Sequence, residues 1–107
     1  LPMPDLEEFG QRGGRFGAHN LHENRQGPSF RSTNTVFATL FNAGGRVYNM
    51  DNPFKPGEIA HFIPEDPENS RADCAQINDV FVDENEIVYC VDRFGGGLYC
   101  LEMEVDI

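Results

Sequence analysis

TVFATLFNAGGRVYNMD, residues 35–51, and EIVYCVDRFGGGLYCLE, residues 86–102, align without a gap at an offset of 51, and their shared pattern decides the fold. Each is a run of β-branched and aromatic residues, a glycine cluster and a second such run, which is the grammar of a β-hairpin. Gly44 and Gly45 are expected to turn the first copy between 36–41 and 46–50. Gly95, Gly96 and Gly97 are expected to turn the second between 87–92 and 98–103. Glycine suits both places because tight hairpin turns use positive φ, which costs other residues energy.

Working outward, GEIAHFIP (57–64) reads as a strand after the first hairpin and QINDVFVDEN (76–85) as a strand before the second. AHNLHEN (18–24) holds the matching place before the first copy. No segment has a helical period. The unit is therefore four antiparallel strands, and its recurrence at 40–50 residues marks a β-propeller blade. The alternative is a small β-sandwich of two similar hairpins. Pairing the second hairpin about Gly95 places Val88, Cys90, Leu98 and Cys100 on one face. Ile87, Tyr89, Val91, Tyr99, Leu101 and Met103 fall on the other. Two apolar faces favour a blade, which neighbours cover on both sides, over a sandwich strand with one wet face.

The expected organisation is an extended arm or linker over 1–17, a penultimate blade over 18–64, an acidic loop over 65–75, and a last blade over 76–107. That last blade stops after three strands. An open edge and uncovered apolar faces are an aggregation hazard, so other polypeptide is expected to complete the structure. It would be an upstream part of the same product, the chain beginning at Leu1, or a companion subunit.

With 18 acidic and 8 basic side chains the net charge is -10, which repels nucleic acid and anionic membranes. Residues 1–56 hold six basic and five acidic groups, whereas 57–107 hold two and thirteen. The first part can meet an anion and the second cannot. No run approaches the ~20 apolar residues of a membrane span, and no signal-peptide pattern opens the chain. Three cysteines without regular spacing point to a reducing compartment, the cytoplasm.

Chemistry concentrates in AHNLHEN. His19, His22 and Glu23 carry the groups that Zn, Fe, Mn or Cu would use, with His19 and His22 as metal ligands and all three as catalytic candidates. On a straight strand, residues three apart face opposite ways, so one histidine at most would face a given metal. The alternative is that both histidines bond loop backbone. Aligning the inner strands sets His19 beside Asn78 and Asn20 beside Asp79, which makes Asn78 and Asp79 candidates for the same channel mouth or for turn capping. Arg12, Arg15, Arg25 and Arg31 surround the histidines. Arg15 and Arg25 are candidates to bind an anionic substrate, or to pair with the acidic half. His61 reads as structural. Cys90 and Cys100 fall opposite each other, as two packed thiols more readily than as a strained disulfide. Cys74 lies among acidic residues that disfavour a thiolate. Gly95–Gly97 joins strands instead of opening a helix, so no phosphate loop is present.

GGRFGAHNLHEN (13–24), TVFATLFNAGGRVYNMDNPFKPGEIAHFIP (35–64) and DVFVDENEIVYCVDRFGGGLYCLE (79–102) resemble the C-terminal end of LVIVD-repeat β-propeller proteins. These are distantly similar to selenium-binding proteins, whose members include a methanethiol oxidase. The resemblance implies the last two blades of a seven-bladed propeller, with the ring closed by a strand from the N-terminal end. The resulting expectation is a C-terminal section or small subunit of a propeller enzyme, metal-dependent and acting on a small molecule at the axial channel. A non-catalytic propeller that binds a protein or small molecule is the alternative.

Overall fold

Side-chain alternation along TVFAT and GRVYN sends Phe37 and Val47 to one face and Ala38 and Tyr48 to the other, and both faces are buried. The computed structural model describes residues 17–64, 76–92 and 97–105. Strands β1 (Thr35–Thr39), β2 (Gly45–Asn49) and β3 (Gly57–Phe62) form one antiparallel sheet in that order. Strands β4 (Ile77–Val82), β5 (Val88–Asp92) and β6 (Gly97–Leu101) form a second. The all-β class follows the sequence expectation. Among the described residues there is no helix long and apolar enough to cross a membrane. Residues 1–16 of the arm expected over 1–17, the acidic loop over 65–75 and the turn residues Gly95 and Gly96 lie outside the described residues, and with them Arg12, Arg15 and Cys74.

The two sheets pack face to face. Phe37 and Val47 meet Ile77, Val80, Val82, Val88 and Cys90, and Phe30, Ala60, Tyr99, Leu101 and Met103 close around them. Each fully buried aliphatic side chain there is worth roughly 1.5–3 kcal/mol. A separate cluster of Ala38, Leu40, Ala43 and Tyr48, with Met50 and Ile63, lies on the other face of the first sheet. Beside it, Arg46 is buried and donates through Nη1 to Glu58 Oε1 at 2.8 Å and through Nε to the Ala43 carbonyl at 3.2 Å.

The segment expected as a further strand, 18–24, does run along β1. His19 N–H donates to the Thr39 carbonyl at 2.8 Å, Thr39 N–H to the Asn20 carbonyl at 2.9 Å, and His22 N–H to the Phe37 carbonyl at 2.9 Å. The pairing is an isolated bridge at Leu21–Ala38, shorter than a regular strand.

Two turn expectations need correction. In the first hairpin the loop is 40–44, and Gly45 belongs to β2. Gly44 alone carries the glycine requirement, with φ of 76° and a position where a β-carbon would overlap the Phe62 carbonyl of β3. In the second hairpin the pairs are Val88–Leu101, Cys90–Tyr99 and Val91–Leu98, one residue out of the register centred on Gly95. A one-residue slip reverses every side chain of the returning strand. Tyr99 and Leu101 therefore join Cys90 in the core, whereas Leu98 and Cys100 face outward with Val91. Cys90 and Cys100 lie on opposite faces, so a disulfide between them is excluded. The two-sided apolar character survives the correction, since the outer face still carries Val91 and Leu98, 41% and 61% exposed.

Two side chains shape the other turns. Asp83 Oδ1 accepts from the Asn85 and Ile87 N–H groups at 2.9 and 3.0 Å, while Oδ2 accepts from the Tyr89 hydroxyl at 3.1 Å. This holds the β4–β5 turn, in which Glu86 sits at φ 65°. Asn52 Oδ1 accepts from the Phe54 N–H at 3.1 Å and starts the turn before β3.

Candidate functional site

The site is built where the sheets meet at the 40–44 end of β1. Phe41, at φ 51°, exchanges two backbone hydrogen bonds with Ile77, at 2.9 and 3.0 Å, and so ties the first hairpin loop to the start of β4. One residue later the ladder between β4 and β5 shifts register at Asn78. A bulge releases the carbonyl of the extra residue from the ladder. The Asn78 carbonyl instead accepts from His19 Nδ1 at 2.7 Å and from Asn20 Nδ2 at 3.0 Å. His19 and Asn78, set side by side by the alignment of the inner strands, are thus joined in space.

The bond fixes the chemistry of His19. A carbonyl only accepts, so Nδ1 carries the proton and the neutral ring keeps its lone pair on Nε2. The ring is exposed and packs on Phe41 with centroids 4.7 Å apart. An imidazole held through Nδ1–H to a carbonyl is the arrangement that orients a metal-binding or proton-accepting histidine.

His22 is different. Its Nδ1 accepts from the Val82 N–H at 3.0 Å, and its Nε2 lies 2.9 Å from the Phe30 carbonyl, to which it donates. Both nitrogens are committed to backbone, and the Phe30, Phe37 and Phe81 rings surround the imidazole at 5.5–6.4 Å. This is the alternative reading of the sequence, a histidine that bonds backbone, and it leaves no lone pair for a metal. His22 ties the 19–22 segment to β4 and is a structural residue.

The remaining candidates do not gather at His19. Glu23 is exposed and faces Arg25 at 3.9 Å, an exposed pair of small energetic weight. Asp79 is exposed, and its Oδ1 accepts from the Val80 N–H at 2.9 Å, the capping role. Arg31 is exposed, and Arg15 lies outside the described residues. Asn78 enters through its carbonyl, while its side-chain Oδ1 is buried with no hydrogen-bond partner among the described residues. Among the described residues no three of His, Cys, Asp and Glu come together as a metal-holding group.

Sequence reasoning missed Asn20 and Phe41. The alignment of the inner strands set Asn20 beside Asp79, whereas its side-chain amide donates to the Asn78 carbonyl. Phe41 lies in the FNAGG turn, whose pattern does not say which residue takes positive φ.

Cys90 is buried, and burial, with the Asp79 charge as a smaller contribution, pushes its thiol up to about 12. It stays protonated at neutral pH and takes no nucleophilic part. No known family model, curated protein or solved structure matches this chain.

Proposed function

We propose that the chain contributes two blades of a β-propeller completed by a companion polypeptide, and that His19 is one ligand of a transition metal at the channel mouth where a small molecule binds. The observation that carries this reading is the 2.7 Å bond from His19 Nδ1 to the Asn78 carbonyl, which leaves Nε2 of an exposed ring as an oriented lone pair. The orphaned Oδ1 of Asn78 supports it, because a buried polar atom without a partner calls for a group from outside the described residues. Exposed Val91 and Leu98 support the companion, as apolar positions that a neighbouring blade would cover.

The residues fit a metal in part. His19 fits by orientation, Glu23 fits by chemistry alone, and His22 does not fit. Further ligands would come from the companion. Such an ion supplies Lewis acidity towards an oxygen of the small molecule; Zn, Fe, Mn and Cu all accept imidazole and carboxylate. The chain's own part is to hold the His19 ring through Asn78 and Phe41.

Native mass spectrometry of protein purified without chelator tests this. A complex heavier than the 12.0 kDa chain with one transition metal ion, lost in His19→Ala but kept in Glu23→Gln with unchanged circular dichroism, is the expected result. A metal-free complex after incubation with excess Zn(II), Fe(II), Mn(II) and Cu(II), or a His19→Ala variant that keeps its metal, overturns the metal site. One observation favours a second reading, a non-catalytic scaffold: the described residues supply a single oriented ligand. That reading predicts small-molecule or protein binding unchanged by chelator.

A further inference from the structure

Phe54 is the most exposed large apolar side chain among the described residues, 96% accessible where the next, Leu98, is 61%. The turn that carries it is fixed. Pro53 locks its own φ, Asn52 Oδ1 accepts from the Phe54 N–H at 3.1 Å, and the Asn52 carbonyl accepts from the Lys55 N–H at 3.0 Å. Asn34 pins the base: its carbonyl accepts from the Met50 N–H at 2.6 Å and its Nδ2 donates to Asp51 Oδ1 at 2.9 Å. A phenyl ring held out in water on an ordered turn is an anchor that docks with little loss of conformational freedom. Lys55, the single lysine of the chain, stands exposed beside it.

The molecule also carries a concave counterpart. A groove of about 710 Å³ runs between the two sheets, with Val47, Ile59, Met103 and Val105 in its apolar lining and Glu102 and Glu104 in its acidic lining. Arg46 lines it too and is already held by Glu58. Ile59 and Val105 are 37% and 43% exposed, so the groove is open to an incoming ring. Within one copy Phe54 does not fill it: the turn leaves β2 after Asn49, enters β3 at Gly57, and leaves the ring in water. We propose that Phe54 of one copy inserts into the intersheet groove of a second copy, with Lys55 meeting Glu102 and Glu104. Projection and groove are different patches, so the contact is heterologous. Charge favours a second copy as the occupant, because the turn joins the exposed ring to a cation and the groove joins its apolar lining to two carboxylates. The contact uses neither His19 nor a hydrogen bond to β6, and so lies outside the function proposed above.

Sedimentation equilibrium of the full chain tests this, run in a Leu98→Lys background so that the outer face of the second sheet does not contribute. Concentration-dependent association is expected, weakened about tenfold or more by Phe54→Ser and by the groove pair Ile59→Lys, Val105→Lys. All three substitutions are at exposed positions, and circular dichroism is expected to stay unchanged. An equimolar mixture of the Phe54→Ser and groove variants should associate where neither does alone, since one still offers the groove and the other the ring. Lys55→Glu is expected to weaken association about threefold or more. A monomer up to about 1 mM overturns the proposal. So does association equal in Phe54→Ser, or a mixture that associates no better than its components, and an unaffected Lys55→Glu variant overturns the part given to charge.

Discussion

The first hairpin is buried on both faces and flanked by β3, whereas the second is buried on one face only. Phe37 and Val47 bury one side of the first sheet, and Leu40 and Tyr48 the other. In the second sheet Val88 and Cys90 are buried, but Val91 and Leu98 on the reverse are 41% and 61% exposed. The hairpins come from one repeated pattern, so the difference does not lie in their local grammar. It lies in what each has for neighbours: the first hairpin has the 19–22 segment and β3 beside it, and the second has β4 and nothing further among the described residues. A repeat tells how each unit folds and leaves open which unit is finished.

The sharpest way to break the first sheet is Gly44→Ala. The added β-carbon overlaps the Phe62 carbonyl and must adopt φ near 76°. A loss of about 3 kcal/mol, seen as a lower urea midpoint, is expected. His22→Ala should come next, at about 2–3 kcal/mol. It leaves the Val82 N–H and the Phe30 carbonyl without their partner and opens a gap among three phenyl rings. His19→Ala, by contrast, removes an exposed ring and should move the midpoint by no more than about 0.5 kcal/mol, so the two histidines separate by a stability measurement alone.

The turn of the second sheet has an acid signature. The Ile87 backbone N–H foremost, then that of Asn85 and the Tyr89 hydroxyl, hold the Asp83 carboxyl below its usual range. Its contribution is fully present above the unfolded value, near 4, and is lost as pH falls through the lower folded value. Asp83→Asn should flatten the dependence of the unfolding midpoint on pH between about 5 and 2. The smallest effect is expected on the open face, where Leu98→Lys should change stability by less than about 0.5 kcal/mol while reducing self-association in sedimentation. Thiol labelling completes the contrast: Cys100, exposed, should react with iodoacetamide in the native protein, and Cys90, with its thiol near 12, only after unfolding.

Much of this fold was legible in the residues. The strands over 57–62, 77–82 and both hairpins follow from β-branched runs cut by Gly, Pro, Asn and Asp. The juxtaposition of His19 with Asn78 came from aligning the inner segments. The register of the second hairpin was not legible, because three consecutive glycines offer several turn centres of similar energy. Packing selects the one that buries Tyr99 and Leu101 with Cys90. Nor could HNLHEN reveal which histidine is spent on structure, because that depends on the Val82 N–H and Phe30 carbonyl, brought from elsewhere in the chain.

The sequence by itself determined the strand-forming segments, the hairpins, the charge asymmetry and the all-β class, since these rest on local propensity and turn chemistry within a few residues. Tertiary structure alone decided the second register, the outward direction of Leu98 and Cys100, and the split between an oriented His19 and a committed His22. Each of these depends on groups up to 60 residues apart, as His22 and Val82 are. The free energy that selects among such arrangements is that of burying shared apolar surface and pairing backbone groups, and it exists only once the two sheets have met.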